Sequence, residues 1–594
     1  MKTIILRKTV GYLLLSMCML SGCDDEAFLK ENPLSFYTVD NIISSSDQVD
    51  QMITTCYVRV RNIYCPYDNY SELAVWSYRM GNGTDVFDVP TIRNSYRLND
   101  YSILNSQTDV FNATYSAFYY LINSANNVLY ASEKATWESP EKKAYVEAQA
   151  RFFRAFAYRN LGELFGGVPL VKEVTFVPRY DYARASRMET YRFAIDELEA
   201  IQSDLPVTTP EAGRLVRAAA QHNLCQLYID MGVLLAESGG DAGAAYRKAL
   251  DYANDIIDGG VYRLMTERFG SRKEESPDFY FSNNMAGQTP DHLYSAAGYK
   301  AEGNVYWDLF QEGNQDYRQG NTEAIWVAQS DYNVKKTDGK KAGLMYSGIY
   351  GPVFRDQAAT HVSGAMEDVG GFGMVQVMPT AYTRDLIYEG KWGDDMRNSE
   401  AVFRRIFYGN EPSSEYYGKP VPWSVLYKEQ NGVPDDAAYT QLYPASCKIV
   451  TDKYTGIADG ENRTVLYRDD YLIRLPETIL LRAEIKWRLG DIAGAASDIN
   501  LLRTRAQCGY QVAASDVSID LILDERAREL VYEESRWNTL LRMGGTIATE
   551  RIKKYSYWDY PRNTLTKNFN LWPVPQTVID TNKDIIIEQN PDWK

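Results

Sequence analysis

The sequence predicts a mainly α-helical protein: a solenoid of about four tetratricopeptide-like helical pairs that carries a large irregular insertion of loops and short strands. Three observations support this fold class. Apolar residues recur at every third or fourth position in two blocks, residues 111–258 and 470–543, which is typical of helices with one buried face. Small residues stand where two antiparallel helices would have to approach closely. The intervening stretch 267–468 is rich in glycine, asparagine, aspartate, proline and aromatic residues, a composition typical of turns and loops.

The N-terminal residues predict an exported lipoprotein. Three basic residues precede an apolar stretch over residues 10–20, which has the length of a signal-peptide core and is too short to span a bilayer. Leu20, Ser21 and Gly22 then lead into Cys23, and small residues before a cysteine are typical of the site where a lipoprotein is cut and acylated. We therefore expect a signal peptide over residues 1–22, a lipid anchor on Cys23 and a single body over residues 23–594. The acidic run that follows Cys23 resembles the signal that directs bacterial lipoproteins to the outer face of the outer membrane.

Five helices are predicted in the first block. The earliest begins near Phe111, and the next covers residues 144–165, where two glycines and a proline end it. The remaining three cover residues 188–205, 213–237 and 241–257.

The second block carries the clearest repeat signal. Ala483, Gly490 and Ala496 hold small residues at the places where paired helices would touch, and Gly232 gives a looser version in the first block. A helical pair of this kind cannot bury its apolar face alone, so the pairs must stack into a wall.

Two stretches are predicted to be irregular, residues 57–101 and residues 267–468. The longer one includes β-like runs such as residues 324–328 and 372–377. Its many aromatic and branched side chains argue against disorder, so it is expected to fold as loops and short strands laid on the helical wall. Function is expected in these two insertions because binding residues concentrate in loops that a rigid scaffold positions.

Composition and residue spacing disfavour nucleic-acid partners, disulfide frameworks, metal sites and common catalytic motifs. The formal net charge is −16, which disfavours nucleic acid because affinity for phosphates needs clustered Lys and Arg. Five cysteines follow Cys23, an odd number without CxxC spacing, so buried free thiols are expected. Cys56 and Cys65 could pair only if a turn brought their Cα atoms within about 7 Å. The three histidines lack metal-ligand spacing and no nucleophile elbow is present; no catalytic residue, metal or cofactor is predicted.

Several segments resemble one family. The sequence QARFFRAFAYRNLGELFGGVPLV from Gln149 is similar to the helix-and-turn hallmark of the SusD/RagB family of nutrient-binding outer-membrane lipoproteins. YLIRLPETILLRAEIKWRLGDIAGAASDINLLRTRA from Tyr471 resembles the family's late repeat, and ILDERARELVYEESRWNTLLRMG from Ile522 resembles its closing helix. MPTAYTRDLIYEGKWGDDMR from Met378 resembles a Pro-Thr helix followed by Asp-x-Arg, with Asp394 in the aspartate position and the arginine one residue late. LWPVPQTVIDTNKDIIIEQNPDW from Leu571 is similar to the family's C-terminal tail.

The resemblance implies a binding protein that works with a transporter. Such lipoproteins sit on the extracellular mouth of a SusC-like TonB-dependent outer-membrane barrel, capture an oligomer, usually an oligosaccharide, and close over the barrel as a lid. The family's solenoid face is thought to contact the barrel, and its irregular insertions hold the ligand. The lipoprotein itself would not cleave the ligand; its role would be in glycan uptake and nutrient transport.

A sugar site needs flat aromatic faces flanked by side chains that bond to hydroxyl groups. Two stretches, residues 76–85 and residues 332–372, offer this mixture. Trp307 is a further candidate, although its apolar neighbours also suit a core. The predicted ligand-binding residues are Trp76, Tyr78, Arg79, Asn82, Asp85, Trp307, Tyr346, Tyr350 and Arg355. Trp392 and Trp423 remain open, whereas Trp326 is expected in the core because it lies in a segment that looks like the family's buried strand.

Three alternatives accompany this interpretation. A RagB-like protein of the same body plan would capture peptides in a groove for extended backbone. A glycoside hydrolase would need two carboxyl groups facing each other at about 5 to 9 Å, and the adjacent Asp394 and Asp395 are poorly placed for that. A scaffold made only of tetratricopeptide repeats would have no use for the aromatic insertion.

Overall fold

The structure is a computed structural model. It describes residues 45–65, 73–90, 97–276, 278–282, 292–330, 343–354, 358–362, 373–409, 411–449 and 465–593 of the 594-residue chain. Cys23 and Arg355, two of the residues predicted to be functional, lie outside the described residues.

The first part of the described chain is helical. Its helices are α1 (Ser46–Tyr64), α2 (Leu73–Arg79), α3 (Asp109–Lys134), α4 (Pro140–Phe165), α5 (Arg187–Ile201), α6 (Arg217–Glu237) and α7 (Gly243–Ile257). The five helices predicted for the first block are confirmed as α3 to α7. Local chemistry fixes their ends: Ser139 and Ser186 cap α4 and α5 with their side chains, and Gly166 ends α4 with φ 79°.

The insertion consists of short elements, as predicted. Its helices are α8 (Val305–Leu309), α9 (Tyr346–Tyr350), α10 (Ala381–Arg384), α11 (Trp423–Leu426) and α12 (Asp436–Gln441). The strands of the described chain are β1 (Phe87–Asp88), β2 (Asp278–Ser282), β3 (His292–Lys300), β4 (Ala324–Ala328), β5 (Met378–Pro379), β6 (Phe403–Arg404), β7 (Ala445–Ser446) and β8 (Asp470–Arg474). They form four two-stranded antiparallel ladders, β1–β5, β2–β3, β4–β8 and β6–β7. The β-like run predicted over residues 372–377 is wrong for residues 373–377, because the strand begins only at Met378; residue 372 lies outside the described residues.

The last part of the chain returns to helices. They are α13 (Leu475–Arg488), α14 (Ile492–Arg505), α15 (Ile519–Leu530), α16 (Arg536–Arg542), α17 (Ile547–Tyr555), α18 (Tyr560–Thr564) and α19 (Gln576–Thr581). Single 3₁₀ turns occur at Tyr317–Gln319, Leu386–Tyr388, Gly390–Trp392, Met396–Asn398, Ala514–Asp516 and Pro591–Trp593.

The two helical blocks form one wall. Helices α3 to α7 pack in succession, α7 packs on α13, and α13 packs on α14 and α15. Small residues permit these contacts: a Cβ atom at Gly232 of α6 would lie 2.3 Å from the ring of Tyr246 on α7, and one at Gly162 would lie 2.6 Å from Tyr191. The predicted solenoid of helical pairs is therefore confirmed, and the pairs separated by the insertion in sequence are neighbours in space.

The insertion is attached to this wall through β4. Trp326 of that strand is buried and packs edge-on against Phe152 and Phe156 of α4, with ring centroids 5.4 and 5.6 Å apart. The predicted core role of Trp326 is confirmed. A smaller core lies within the insertion, around Phe354, Phe407 and neighbouring apolar residues.

The first irregular stretch was predicted incorrectly in part. Residues 57–64 belong to α1, whose buried face repeats at Val49, Ile53, Cys56 and Val60, and α2 adds a second helical segment. Cys56, Cys65, Cys225, Cys447 and Cys508 are all buried and free, so the predicted free thiols are confirmed. No helix in the described part of the chain is long and apolar enough to cross a membrane.

Candidate functional site: an aromatic strip

The residues that the sequence singled out for ligand binding lie in the core. The eight that the structure describes are each no more than 4% exposed; they are Trp76, Tyr78, Arg79, Asn82, Asp85, Trp307, Tyr346 and Tyr350. Large rings and paired charges at these positions pack against the helical wall instead of facing solvent. A ligand-binding residue must be exposed, and none of these eight is, so this part of the prediction is wrong.

Asp85 is the centre of a buried ion cluster. Its carboxylate accepts hydrogen bonds from Arg536 at 2.8 and 2.7 Å and from Arg551 at 2.7 Å. Burial raises the pKa of the Asp85 carboxyl, but the two guanidinium groups outweigh it and hold this pKa well below its usual range. Asp85 thus joins the first irregular stretch to α16 and α17.

The two predicted ligand-binding stretches do meet, but inside the protein. Tyr346 donates a hydrogen bond to the carboxylate of Asp470, and the ring of Tyr350 lies 6.0 Å from that of Tyr346. Burial raises the pKa of the Asp470 carboxyl, and the charge of Arg79 beside it acts in the opposite direction. Arg79 also donates to the backbone oxygen of Glu533. The cluster stabilises the core and offers no surface to a ligand.

The other predicted residues are also used internally. The indole nitrogen of Trp76 donates to the backbone oxygen of Asn62 at 3.2 Å. The Tyr78 hydroxyl donates to Asn538 at 2.6 Å, and the backbone oxygen of Asn82 accepts a hydrogen bond from Trp537. The ring of Trp307 packs against Arg272, at 4.7 Å, and Arg268, at 5.5 Å.

A different set of aromatic residues reaches the surface. We call it the aromatic strip, and it consists of the half-buried residues Trp423, Tyr427, Tyr439, Tyr557, Trp558 and Tyr560. The first three come from α11, the residue after it and α12; the others come from the turn between α17 and α18 and the first residue of α18.

The rings of the strip form a continuous series. Trp423 and Tyr427, one helical turn apart, are stacked with centroids 4.9 Å apart. Tyr439 follows at 5.1 Å from Tyr427 and stacks on Tyr557 at 5.5 Å. Trp558 lies edge-on to Tyr557 at 4.8 Å, and the ring of Tyr560 is 6.3 Å from Trp558. Mutual stacking fixes the rings while each remains partly open to solvent.

The strip lies where the two predicted insertions meet. The indole of Trp558 donates to the backbone oxygen of Val89 at 2.8 Å. The carboxylate of Asp88 accepts hydrogen bonds from the Ser556 hydroxyl at 2.7 Å and from the Tyr557 backbone at 3.1 Å. Burial raises the pKa of Asp88 to about 6 despite these donors. The first insertion therefore positions part of the strip through β1, although its own predicted ligand residues are buried.

Charged and polar groups border the rings. The guanidinium of Arg384 lies 3.8 Å from the Tyr439 ring centroid, and that of Arg97 lies 4.3 Å from the Tyr560 centroid. The carboxylate of Asp436 accepts a hydrogen bond from the Tyr557 hydroxyl at 2.9 Å. Arg384 and Arg97 are themselves buried, whereas Asp436 is exposed. Partly open rings beside the Asp436 carboxylate suit a ligand that has both an apolar face and hydroxyl groups.

Part of this site had a signal in the sequence. Trp423 is an open candidate on the sequence alone, and its spacing of four residues from Tyr427 would place both rings on one face of a helix. Trp392, the other open residue, instead packs between the guanidinium groups of Arg503 and Arg528, at 4.8 and 4.5 Å.

A polar cleft of about 670 Å³ lies elsewhere in the insertion, with Asp394 and Asp395 in its lining. Asp395 forms an ion pair with Arg397 at 2.7 Å, so Asp395, and not Asp394, supplies the Asp-x-Arg spacing. Burial raises the pKa of Asp395, but Arg397 lowers it to below its usual value, the opposite of what a general acid for glycoside cleavage requires. No group of three metal-binding side chains occurs among the described residues.

Comparison with known proteins agrees with this architecture. Residues 322–593 match the model of the SusD family, and residues 27–229 match the model described as "Starch-binding associating with outer membrane". The chain belongs to the SusD/RagB family. Its SusD-like relatives include SusD-like protein P2 of Formosa agariphila, which is 23% identical over 88% of each chain.

Solved SusD-like structures share the fold. Surface glycan-binding protein A from Bacteroides thetaiotaomicron, in complex with laminarihexaose, superposes with a TM-score of 0.62 at 17% identity, covering 92% of this chain and 100% of that one. A laminarin-binding SusD-like protein gives a TM-score of 0.61 at 19% identity, with 92% and 99% covered.

Proposed function

We propose that this SusD-like protein binds an oligosaccharide on the aromatic strip and delivers it to a SusC-like TonB-dependent outer-membrane barrel, over which it acts as a lid. In this proposal, lipid on Cys23 anchors the protein at the outer membrane with its body on the extracellular side. The proposed role is binding and transfer, without cleavage of the ligand.

The observation that carries the proposal is the strip of six half-buried rings. The C–H side of a pyranose ring packs on an aromatic ring, while the hydroxyl groups at its edge need polar partners. A series of rings from Trp423 to Tyr560, with the exposed carboxylate of Asp436 beside Tyr557, offers both along an extended surface. An oligomer can therefore be gripped at several successive units.

Family membership supports the class of ligand. The solved relatives of this fold include one crystallised with laminarihexaose and one described as laminarin-binding. The formal net charge of −16 favours a neutral glycan over a polyanion. The lipid anchor and the barrel partner rest on the lipoprotein motif around Cys23 and on the family resemblance.

Calorimetry on purified full-length protein in detergent tests the proposal. The ligands are laminarihexaose and neutral hexasaccharides of other linkages, and the variants are Trp423→Ala and Trp558→Ala. Loss of one stacking ring should cost about 1–3 kcal/mol of binding free energy, so the dissociation constant should rise about fivefold to about a hundredfold. Both rings are half-buried, so their removal can also weaken packing. Melting curves of the two variants measure that loss of stability separately from the loss of affinity.

Tyr417→Ala is the matched control. Tyr417 is a 40% exposed ring of the same insertion outside the strip, so its loss should leave affinity unchanged. Wild-type affinity in both strip variants would remove the strip as the site. Binding of extended peptides but of no glycan would favour the peptide-binding alternative, and release of reducing ends from a bound glycan would overturn the role without cleavage.

A further inference from the structure

A second ring-lined site lies on the helical wall, away from the insertion. It is a groove of about 530 Å³ between one face of α3, the loop after α4, and α19 with the residues that follow it. Its volume falls within the range of about 300–1,000 Å³ typical of small-ligand sites. We call it the α3 groove.

The α3 groove is lined by aromatic rings, and most of its open surface is apolar, with hydrogen-bonding groups among the rings. Four of its lining residues are tyrosines, and twelve of the seventeen carry side chains that can form hydrogen bonds. Tyr115 and Tyr119 are stacked, with centroids 4.8 Å apart. Tyr120 is 58% exposed although the guanidinium of Arg59 lies 5.4 Å from its ring centroid. Rings and hydrogen-bonding groups are thus combined on one concave surface.

The walls of the groove are joined to each other. The Thr577 hydroxyl of α19 donates to Asn112 of α3 at 2.7 Å, and the Tyr119 hydroxyl donates to the backbone oxygen of Pro169 at 2.7 Å. Asn582 forms two hydrogen bonds of 2.9 Å with the backbone of Tyr182. A groove held open in this way would lose little conformational entropy on binding.

The groove carries little net charge. None of the described residues that line it is acidic, and its one cationic side chain, Arg179, is already paired with Asp181 at 2.9 and 3.1 Å. A neutral ligand therefore fits the lining better than an anionic or cationic one.

We infer that the α3 groove is a second binding site for a neutral carbohydrate, separate from the aromatic strip. The inference rests on the proposed function, because it takes the ligand class from there. With two sites on different elements, one oligosaccharide chain could be held at two places, which would raise its overall avidity.

Counting binding sites on the full-length protein in detergent tests this inference. The probes are neutral hexasaccharides of β-1,3-, β-1,4- and α-1,4-linked glucose. Tyr120→Ala removes an exposed ring, and Asn123→Trp fills the groove from an exposed position of α3. Asn127→Trp, the same change one helical turn further along and outside the lining, is the control.

The two proposals fail in different ways. We expect two sites in the wild type and one in each groove variant, with groove affinity reduced about tenfold or more. The Trp423→Ala/Trp558→Ala double variant should retain the groove site. If that double variant binds no sugar, or if Asn123→Trp and Asn127→Trp behave alike, the groove is not a site. If the groove variants alone lose binding, the groove stands and the strip falls; if no probe binds the wild type, both proposals are wrong.

Discussion

Replacing Asp85 separates a structural from a ligand-binding role most sharply. In Asp85→Asn the side chain keeps its shape but loses the charge that faces Arg536 and Arg551. The side chains of Asp85, Arg536 and Arg551 are 0%, 2% and 3% exposed. Removing one partner from a buried ion pair costs about 3–5 kcal/mol when the remaining charge stays buried without a counterion. Here Arg536 keeps Glu534 at 3.1 Å, and Arg551 keeps Asp520 and Asp524 at 2.8 Å. We therefore expect a loss near the lower end, about 3 kcal/mol. Against a typical total of about 5–15 kcal/mol, the loss should be large.

Guanidinium unfolding at pH 7, followed by tryptophan fluorescence and circular dichroism, measures this cost. Asp520→Asn is the control, since Asp520 also pairs with Arg551, at 2.8 Å, but its side chain is 68% exposed; an exposed pair is worth about 0–1 kcal/mol. We expect a strong loss of stability for Asp85→Asn and almost none for Asp520→Asn. Wild-type stability together with weakened glycan binding in Asp85→Asn would refute the structural role and restore Asp85 as a ligand contact.

Three further predictions concern charge, thiols and anchoring. Burial raises the pKa of Glu484, but the guanidinium groups of Arg542 and Arg488 outweigh it and lower this pKa to about 2. The ionised carboxylate therefore contributes about 3 kcal/mol of stability that is present above pH 4.5 and is lost as the pH falls toward 2. In Glu484→Gln, the free energy of unfolding should not show this loss between pH 4.5 and 2. The five buried free thiols should resist a thiol reagent in the folded protein and all react in denaturant, and fast reaction of any of them would contradict their burial. Cys23→Ala should release the protein from membranes in cell fractionation, and continued membrane association would argue against the lipid anchor.

The helical wall could be predicted because its signals are local. Helices α3 and α4 and the pair α13–α14 show the apolar period and the small residues at close approaches within their own sequences. Helix α1 carries the same period at Val49, Ile53, Cys56 and Val60, and Ser45 begins it with a capping box. The aromatic composition of residues 57–101 led to the prediction of loops there, although the period already indicated a helix.

The site could not be predicted in the same way because it depends on contacts between distant residues. The burial of Asp85 follows from its pairing with Arg536, which lies 451 residues later in the chain. Likewise, Trp76 and Tyr346 lie in segments whose composition suggests exposed rings, but packing against the wall buries both side chains. Folding brings the segment of Trp423 next to the segment of Trp558, and no local sequence pattern links the two segments.

A crystal structure of the protein with a bound neutral oligosaccharide tests the central claim most directly. The account predicts sugar rings packed along the aromatic strip, with at least one ring on Trp423 or Trp558 and a hydroxyl group bonded to the exposed carboxylate of Asp436. A sugar bound in the polar cleft beside Asp394, or a core opened to expose Trp76, Tyr346 and Tyr350 to the ligand, would contradict it.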